Sequence, residues 1–459
     1  MGLRWSEVQI LSPRPNDKSE GPHRQSRAFI LAVPIFLATA GYYDPLMLNR
    51  KAFEERDQAD PLSCFRAEFS LPDELIYLDG NSLGALPVQV LNRVSRVIER
   101  EWGHDLIRSW WDNRWMELPA ILGDKIARLI GAQPGEVIAC DSTSVNLFKV
   151  LSAALSSSPD RHVILSDRAN FPTDLYIASG VISTMGRDVE MRLVGSEELE
   201  QQIDSSVAVL FLTHVDFRHG ARCDMEHMTR LAHDAGTLVV WDLAHSAGAM
   251  PVELNACEVD FAVGCGYKYL NGGPGAPAYV YVAQALQADV RTPLTGWMGH
   301  EAPFDFSTRY APAAGIRQML CGSPPILSMA ALEVGVDLLL EADLAEVRKK
   351  SIQLTGLFMQ RVDERCKEHG FTVLTPREPN RRGSQVSLAH PHGFEITEAL
   401  RRHGVVADFR PPDLLRFGFA PLYTRYTDVW DAVETLHQIM EEGTWDRRDG
   451  NNRGECTAR

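Results

Sequence analysis

The stretch Asp260-Phe-Ala-Val-Gly-Cys-Gly-Tyr-Lys-Tyr-Leu-Asn-Gly-Gly-Pro-Gly-Ala-Pro277 is the most informative part of this 459-residue chain. Its first half is a short apolar run that predicts a buried strand, and its second half is a loop rich in Gly and Pro. Lys268 stands between the two, so we expect a tight loop to hold its side chain at the end of the strand. Taken alone, a lysine in this position is usually a solvated residue.

A second buried strand is predicted at Thr237-Leu-Val-Val-Trp-Asp242, which ends in a carboxylate. An aspartate at a strand end is more often a helix cap or a turn former. Together with Lys268 at the end of a neighbouring strand, however, Asp242 completes the pair of protein groups that pyridoxal phosphate requires. The lysine amine forms a Schiff base with the cofactor's aldehyde, and the aspartate keeps the pyridine nitrogen protonated so that the ring accepts electrons. We therefore predict pyridoxal phosphate as the cofactor.

The composition is that of an ordinary globular protein, with 45% hydrophobic and 23% charged residues. The length suggests two or three domains. A net charge of -15 argues against nucleic acid or an anionic membrane as a partner, and no apolar run reaches the length needed to span a bilayer. The eight cysteines include no Cys-x-x-Cys pair, which predicts reduced thiols in a cytoplasmic protein.

One pattern of metal-ligating residues is present, because His219, Cys223 and His227 follow one another at four-residue intervals, with His214 and His233 nearby. The pattern begins in a predicted loop and continues onto a predicted helix, so its ligands need not converge. We predict no metal site.

The order of the elements predicts the fold class. Strand and helix patterns alternate between residues 137 and 281, which favours an α/β fold with a mostly parallel sheet sandwiched by helices. After Pro324-Pro325 the pattern changes to that of a smaller α+β domain. There we predict a long helical stretch from Leu327 to Cys366, broken near Ala342-Asp343, and a strand from Val405 to Phe409. Ahead of the alternating region, apolar residues at helical spacing predict a helix from Gln89 to Trp102. The predicted parts are an unstructured extension at 1–46, an N-terminal segment of the small domain at 47–98, a large cofactor-binding domain at 99–326, a small domain at 327–445, and a disordered tail at 446–459. For the extension we favour a wrongly set start codon ahead of Met47 over a targeting peptide.

Two further motifs follow predicted strands. Cys140-Asp-Ser-Thr-Ser-Val-Asn146 places hydroxyl residues at a helix start, where N–H groups and hydroxyls bind phosphate, although capping alone would explain some of them. Asn170-Phe-Pro-Thr-Asp174 supplies Phe171, a ring that either stacks on a flat cofactor or packs in the core. Because ligands of such sheets bind beyond the carboxyl ends of the strands, we expect both motifs to share one site with Lys268.

Seven segments of the chain together resemble the kynureninases, which are fold-type-I, class V aminotransferase-like enzymes that use pyridoxal phosphate. The resemblance runs from about residue 60 to about residue 441, and it implies hydrolysis of L-kynurenine to anthranilate and L-alanine. The segments are Leu78-Asp-Gly-Asn-Ser-Leu-Gly84, Asp141-Ser-Thr-Ser-Val-Asn146, Phe171-Pro-Thr-Asp-Leu-Tyr176, Trp241-Asp-Leu-Ala-His-Ser-Ala-Gly248, Gly266-Tyr-Lys-Tyr-Leu-Asn-Gly-Gly-Pro-Gly275, Gly296-Trp-Met-Gly-His300 and Cys321-Gly-Ser-Pro-Pro325.

The resemblance implies roles for individual residues. Its catalytic residues would be Lys268 as the Schiff-base lysine, Asp242 at the pyridine nitrogen, and Tyr267 as a proton donor or acceptor, or only as a phosphate anchor. Other residues would surround the cofactor: Thr143 and Ser144 at its phosphate with Tyr267, Phe171 stacked on its ring, and Asp174 and His245 beside it.

The resemblance also implies a homodimer with active sites at the subunit interface. Trp297 and Ser323 match positions that reach the cofactor from the neighbouring subunit. Arg416 matches the arginine that grips the substrate α-carboxylate, a task suited to a planar bidentate group; the alternative is a solvated strand arginine. Asp216 departs from related enzymes, which often carry Asn there, and we assign it no role.

Substrate preference is predicted from three positions. Trp102, Gly322 and Ser323 match the bacterial members of the family, whereas animal members carry His, Ser and Asn. An indole offers no partner to an added ring hydroxyl, so we expect L-kynurenine to be preferred over 3-hydroxykynurenine. The alternative is that Trp102 is a core residue at a helix end.

Two other function classes remain open at this point. The first is another fold-type-I enzyme, such as a cysteine desulfurase or a class V aminotransferase; a desulfurase needs a cysteine on a mobile loop, and Cys321 before Gly-Ser-Pro-Pro suggests a rigid one. The second is a regulator that merely keeps a cofactor pocket, which would predict an attached DNA-binding helix-turn-helix or a damaged lysine site, and the sequence shows neither.

Overall fold

The computed structural model describes residues 49–446. The predictions for residues 1–46, and for the tail beyond residue 446, therefore lie outside the described residues. None of the described helices is both long and apolar enough to cross a bilayer.

The strands lie in a large sheet, a smaller sheet and two short pairs. In chain order they are β1 (Phe69–Ser70), β2 (Ile76–Tyr77), β3 (Leu86–Pro87), β4 (Val137–Ala139), β5 (Val163–Asp167), β6 (Glu190–Val194), β7 (Val207–Thr213), β8 (Leu238–Asp242), β9 (Phe261–Gly264), β10 (Tyr279–Val282), β11 (Thr372–Val373), β12 (Gln385–Ala389), β13 (Val405–Val406), β14 (Asp408–Arg410) and β15 (Leu414–Gly418).

The α-helices alternate with the strands of the large sheet and then flank the smaller one. They are α1 (Arg50–Gln58), α2 (Gln89–Arg96), α3 (Ser109–Asp112), α4 (Leu118–Leu129), α5 (Thr143–Ser157), α6 (Pro172–Thr184), α7 (Met225–Asp234), α8 (Ile326–Glu341), α9 (Leu344–Arg365), α10 (Gly393–Arg402) and α11 (Tyr426–Glu442).

The large sheet has the strand order β4-β10-β9-β8-β7-β5-β6. Neighbours from β9 to β6 are parallel, whereas β10 is antiparallel to both β9 and β4. Successive residues of the central strands alternate between two buried apolar clusters; in β8, Val240 belongs to one and Trp241 to the other. A sheet buried on both faces needs continuous apolar strands. The predicted mostly parallel sheet between helices is confirmed.

The strand register sets where the functional residues lie. Thr213 at the end of β7 pairs with Asp242 at the end of β8, and β9 ends four residues before Lys268. Two antiparallel steps through β10 leave β4 parallel to β9, so α5, which follows β4, begins at the same edge. The loops that follow β4, β7, β8 and β9 therefore all begin at the carboxyl edge of the sheet.

The C-terminal part is an antiparallel sheet of order β11-β12-β15-β14 with α9, α10 and α11. The predicted break near Ala342-Asp343 is confirmed, because α8 ends at Glu341 and α9 begins at Leu344. The Asp343 side chain caps α9 by accepting from the Ala345 N–H at 2.8 Å. The predicted single strand from Val405 to Phe409 is wrong: β13 pairs with β2, and β14 pairs with β15. The pairing of β2 with β13 joins the N-terminal segment to this part. The division into domains stays a prediction.

Two elements differ from the sequence expectation. The edge strand β6 was not expected, because its residues are mostly half-buried and its pattern is weak. The predicted helix from Gln89 to Trp102 is α-helical only to Arg96 and continues as a π-helical segment, Val97–Asp105. Segments of this kind are rare and often lie near functional sites.

Candidate active site

A cleft at the carboxyl edge of the large sheet collects eight of the residues singled out from the sequence. The space between its walls is about 470 Å³ when the open solvent at its mouth is included. The eight are Thr143, Ser144, Phe171, Asp174, Asp242, His245, Tyr267 and Lys268. Four other lining residues were missed because their types carry no distinctive chemistry: Thr173, Thr213, Phe217 and Ala244.

Lys268 is held by both its backbone and its side chain. The Gly84 N–H donates to the carbonyl of Tyr267 at 2.8 Å, and the Asn271 N–H donates to that of Lys268 at 2.9 Å. A Cβ at position 84 would lie 2.4 Å from the Lys268 carbonyl oxygen, so the turn ending in Gly84 requires glycine there. The Lys268 Nζ lies 2.9 Å from His245 Nε2. The interpretation of Lys268 as a solvated strand-end residue is wrong.

Asp242 and Asp174 form a pair of carboxyl groups in the cleft. Burial is the main cause that raises the pKa of both, and repulsion by Asp242 raises that of Asp174 further, well above its usual range. Two adjacent buried carboxyls cannot both ionise. Asp174 therefore keeps its proton and donates it in a hydrogen bond to Asp242, whose carboxylate also accepts from the Ala244 N–H at 2.7 Å. The nearby Lys268 ammonium stabilises the ionised Asp242.

His245 is neutral in this environment. Burial lowers its pKa well below the usual value, and the positive charges of Lys268, Arg416 and Arg410 lower it further. A neutral imidazole accepts the Lys268 ammonium hydrogen bond at Nε2 and carries its own proton on Nδ1. The Nδ1 atom is buried without a hydrogen-bond partner in the described structure.

The start of α5 faces the cleft with Thr143 and Ser144. The capping role falls to the preceding residue, Ser142, whose side chain accepts from the Val145 N–H at 3.4 Å. Capping therefore does not account for the other two hydroxyl residues. The first N–H groups of a helix, together with such hydroxyls, form an anion site.

Two aromatic side chains stand at the mouth of the cleft. Phe171 is 40% exposed, so the alternative of a core residue is wrong, and its ring meets that of Phe217 edge-on at 5.1 Å. Tyr267 is 37% exposed, and the Lys268 Nζ lies 5.9 Å from its ring centroid. Partial burial, with the nearby Cys265 and Asp242, raises the pKa of Tyr267, so its hydroxyl keeps its proton.

The residues of the cleft fit pyridoxal phosphate in their chemistry. They supply an amine, a carboxylate, a ring for stacking and a helix N-terminus for the phosphate. One buried polar atom of a lining residue, His245 Nδ1, has no hydrogen-bond partner in the described structure. Buried polar atoms are normally paired, so a polar ligand would satisfy it.

Arg416 lies on β15 behind the cleft wall and is 2% exposed, so the solvated alternative is wrong. Its Nη1 donates to the carbonyl oxygen of Phe217 at 2.7 Å, and Phe217 lines the cleft. Its Nε donates to Asp408 at 2.9 Å, and its Nη2 donates to the same carboxylate. The expected bidentate edge is therefore occupied by Asp408 in this structure.

Four other predicted site residues do not line the cleft. Trp102 is 58% and Trp297 is 37% exposed, and the loop residues Gly322 and Ser323 are exposed as well. The interpretation of Trp102 as a core residue is wrong. Trp297 belongs to an aromatic patch on the surface, which consists of Trp111, Trp297, Phe304 and Phe306.

Within residues 49–446, the His219, Cys223 and His227 pattern seen in the sequence does not form a cluster of ligand atoms. Each of three histidines has its own acidic partner: His219 with Asp216, His227 with Glu200, and His233 with Asp260. Within residues 49–446, the trio whose ligand atoms lie within 4.8 Å of one another is a different one, His369, His437 and Glu441. Asp216 accepts the Arg218 N–H at 3.0 Å in the turn after β7, which is a structural task.

Comparison with known proteins identifies the family. The chain is 50% identical over 394 residues to a kynureninase of Pseudomonas fluorescens, which covers 85% of this chain and 95% of that protein. It is also 50% identical over 404 residues to a kynureninase of Burkholderia pseudomallei, with coverage of 87% and 97%. The chain belongs to the kynureninase family.

Two family models agree with this membership. The kynureninase C-terminal domain matches residues 347–436, which include β11 to β15. The DegT/DnrJ/EryC1/StrS aminotransferase family matches residues 110–262, which include most of the large sheet.

Solved structures of other enzymes share the fold. A cysteine desulfurase from Thermococcus onnurineus is similar with a TM-score of 0.71 at 18% identity, over 83% of this chain and 98% of that one. A C-DES mutant with glycine covalently linked to its PLP cofactor is similar with a TM-score of 0.69 at 17% identity, over 81% and 98%. Such low identity shows the shared fold-type-I architecture and nothing about the substrate of this member of the kynureninase family.

Proposed function

We propose that this protein hydrolyses the Cβ–Cγ bond of L-kynurenine, with pyridoxal phosphate as cofactor, and releases anthranilate and L-alanine. 3-Hydroxykynurenine is the poorer substrate. The observation that carries the proposal is the cleft, which both Lys268 and Asp242 line. The chain that forms this cleft is 50% identical to two kynureninases over most of its length. The reaction belongs to tryptophan catabolism and the biosynthesis of pyridine nucleotides.

The cofactor is held by the residues that line the cleft. Lys268 would hold the cofactor through its aldehyde, and Asp242 would accept a hydrogen bond from its pyridine nitrogen. The N-terminus of α5, with Thr143 and Ser144, binds the phosphate, and Phe171 stacks on the ring. When bound, the cofactor supplies an electron sink for the pair left at the substrate α-carbon.

Asp174 and His245 tune the electrostatics of this site. Neutral Asp174 donates to Asp242 and so keeps that carboxylate ionised opposite the pyridine nitrogen. Neutral His245 adds no positive charge to the cleft and accepts a hydrogen bond from Lys268 at Nε2, which holds the lysine side chain in place. The environment therefore keeps one negative charge on Asp242 and none on Asp174 or His245.

The chain's residues then act on the substrate. Arg416 binds the α-carboxylate, and the Lys268 Nζ removes the α-proton. Water adds to the aryl γ-carbonyl, the Cβ–Cγ bond breaks with its electron pair left on Cβ, and the carboxyl group of anthranilate forms. Tyr267, whose hydroxyl keeps its proton, lies beside the lysine and donates a proton at Cβ. Lys268 then returns the proton that it took to Cα, which completes alanine. Tyr267 also anchors the phosphate in the family pattern.

We further propose a homodimer in the cytoplasm. The aromatic patch supports a partner surface, since contiguous exposed apolar groups mark interaction sites, and Trp297 belongs to it. The cysteines within residues 49–446 form no disulfide, which suits a reducing compartment. Trp297 and Ser323 would then complete the active site of the partner subunit.

The structure gives less support to a cysteine desulfurase. Cys321 is partly buried and does not line the cleft. Its carbonyl oxygen would lie 2.2 Å from a Cβ at Gly296, and it accepts the Met298 N–H at 3.3 Å. The Cys321 backbone is thus packed against the loop at Gly296, which favours a rigid cysteine over the mobile one that a desulfurase needs.

The direct test is the fluorescence of anthranilate when L-kynurenine is added to the protein supplied with pyridoxal phosphate. We expect anthranilate and alanine in a one-to-one ratio. Elemental sulfur transfer from cysteine without anthranilate would instead indicate a desulfurase, and inactivity with both substrates would contradict the proposal.

A further inference from the structure

Arg416 is surrounded by acceptors that already belong to the protein. Asp408 accepts from both Nε and Nη2, the Ser82 hydroxyl accepts from Nη2 at 2.8 Å, and the Phe217 carbonyl accepts from Nη1. Ser82 in turn donates to Asp408 at 2.7 Å. A guanidinium has five N–H groups, and these contacts use four of them. A substrate carboxylate must therefore share Arg416 with a resident carboxylate.

A second resident carboxylate, Asp79, lies beside this group. It follows β2, and its backbone bridges that of Gly418 at the end of β15, the strand that carries Arg416. Its Oδ1 is buried and has no hydrogen-bond partner in the described structure. Burial and the charge of Asp408 raise the pKa of Asp79 to about 7, although Ser82 and the cations Arg416 and Arg410 act in the opposite direction.

The other ionisable groups around Asp79 do not titrate near neutral pH. Arg410 lies 2.9 Å from Asp408, between Nη2 and Oδ2, and both arginines remain charged. The charge of Asp79 acts on three tyrosines, and burial raises the pKa of each of them, so they stay neutral. The groups that face it are Tyr77, Tyr269, Tyr423, Asp408, Arg410 and Arg416.

Near neutral pH, the net charge of the group formed by Arg410, Arg416, Asp408 and Asp79 therefore depends on the protonation of Asp79 alone. With Asp79 neutral, the two arginines and Asp408 leave one net positive charge for an incoming carboxylate. With Asp79 ionised, the net charge is zero. The gain or loss of one unit charge beside a partly buried site is worth on the order of a tenfold change in affinity or more.

We propose that Asp79 and Asp408 are a carboxyl pair that controls Arg416: Asp408 orients the guanidinium, and the protonation of Asp79 sets its affinity for the substrate α-carboxylate. Asp79 is thus a positioning residue that acts through Arg416 and touches no substrate. The inference rests on the proposed function only in taking Arg416 as the carboxylate ligand.

Linkage fixes the sign of the effect. A carboxylate bound at Arg416 raises the pKa of Asp79, so binding takes up a proton near neutral pH, and protonation strengthens binding to the same extent. Affinity is therefore highest below pH 7 and falls as the pH rises through 7. An uncharged residue at position 79 removes this dependence.

The test compares Asp79→Asn with the wild type between pH 6 and pH 8.5. For the wild type we expect KM for L-kynurenine to rise about tenfold across this range, with kcat changing less. For the variant we expect a nearly flat KM that equals the low-pH value of the wild type. Asp413→Asn is the control, because Asp413 lies in the turn between β14 and β15, is not among the groups that shift the pKa of Asp79, and should leave the wild-type profile intact.

A binding measurement separates this inference from the proposed function. L-Alanine carries the same α-carboxylate and needs no turnover, so its binding to the cofactor-loaded protein is measured by calorimetry at pH 7.5 in two buffers of different ionisation enthalpy. With a pKa of about 7 for Asp79 and a tenfold coupling, the wild type should take up about half a proton more than Asp79→Asn. Equal proton uptake in the two proteins, or a KM profile unchanged by the substitution, would overturn the role of Asp79. Absence of anthranilate from the wild type would instead count against the proposed function.

Discussion

The cleft and the exposed group formed by Trp102, Trp297, Gly322 and Ser323 were predicted from the same family resemblance, but the structure places them differently. The residues of the cleft lie together within one chain, and the central ones are buried and hydrogen-bonded to each other. The four residues of the exposed group lie on the surface and do not line that cleft. The first set is organised by the large sheet, whereas we propose that the second set forms part of a site only when the partner subunit of a homodimer covers it.

This difference separates two levels of organisation. Parallel strands end at one edge, so strand-end residues such as Asp242 and Lys268 meet without any partner. Exposed aromatic residues, by contrast, gain a role only when another surface covers them. We therefore expect the bond-breaking steps to depend on the residues of the cleft. We expect the choice of substrate and the full rate to depend on formation of the homodimer.

The largest effect should come from the cleft. Lys268→Ala removes the amine that binds the cofactor and moves the α-proton, so we expect turnover of L-kynurenine to fall by roughly 10²–10⁴-fold and the visible absorbance of the bound cofactor to change. Lys125→Ala is the control, because Lys125 forms ion pairs with Glu333 and Asp337 elsewhere. If Lys268→Ala kept normal absorbance and turnover, the assignment of Lys268 as the lysine that binds the cofactor would be wrong.

Asp242→Asn should have the next largest effect. The neutral amide no longer holds the proton on the pyridine nitrogen, and we expect kcat to fall by about 10²-fold with a modest change in Tm. Asp260→Asn is the matched control: Asp260 is also buried, but it lies at the start of β9, where it accepts from Val239 and pairs with His233. That variant should lose stability and keep its turnover. If the two variants lost turnover equally, the effect would be one of folding.

Substrate preference tests the exposed group. We expect the wild type to prefer L-kynurenine over 3-hydroxykynurenine in kcat/KM by roughly ten- to a hundredfold, because a ring hydroxyl buried without a partner costs about 1–3 kcal/mol. Trp102→His combined with Ser323→Asn should reduce or reverse that ratio. An equal preference in the wild type would refute the argument, and an unaltered ratio in the double variant would place the cause elsewhere.

Much of the cleft was predictable because its determinants are local. A buried apolar strand followed by Asp or by a glycine-rich turn is visible in the sequence, and the sheet brings such ends together. The carboxyl contact between Asp174 and Asp242 was not predictable, since Asp174 lies one turn into α6 and its distance to Asp242 depends on how the helix packs.

Contacts between distant strands were also hidden. The sequence identified Arg416 but not its partner Asp408, because the run from Val405 to Phe409 was interpreted as one strand. The structure ends β13 at Val406 and starts β14 at Asp408, and the new strand pairs Asp408 with Arg416 across the antiparallel ladder. A register of this kind depends on tertiary pairing that no local pattern specifies.

The smallest expected effect is measured by mixing two variants that are each inactive or weakened. This experiment is also the sharpest test of the difference between the cleft and the exposed group. If Trp297 completes the partner subunit's site, Lys268→Ala and Trp297→Ala impair different halves of each site. In a mixed dimer, one site then carries both defects and the other carries none. Random mixing in equal amounts makes half of the dimers mixed, so about a quarter of all sites should be intact. We expect the mixture, after dissociation and reassociation, to recover about a quarter of wild-type activity, measured as anthranilate release. If Trp297 acted within its own chain, the mixture would give only the average of the two separate variants, and the exposed group would lose its proposed link to assembly.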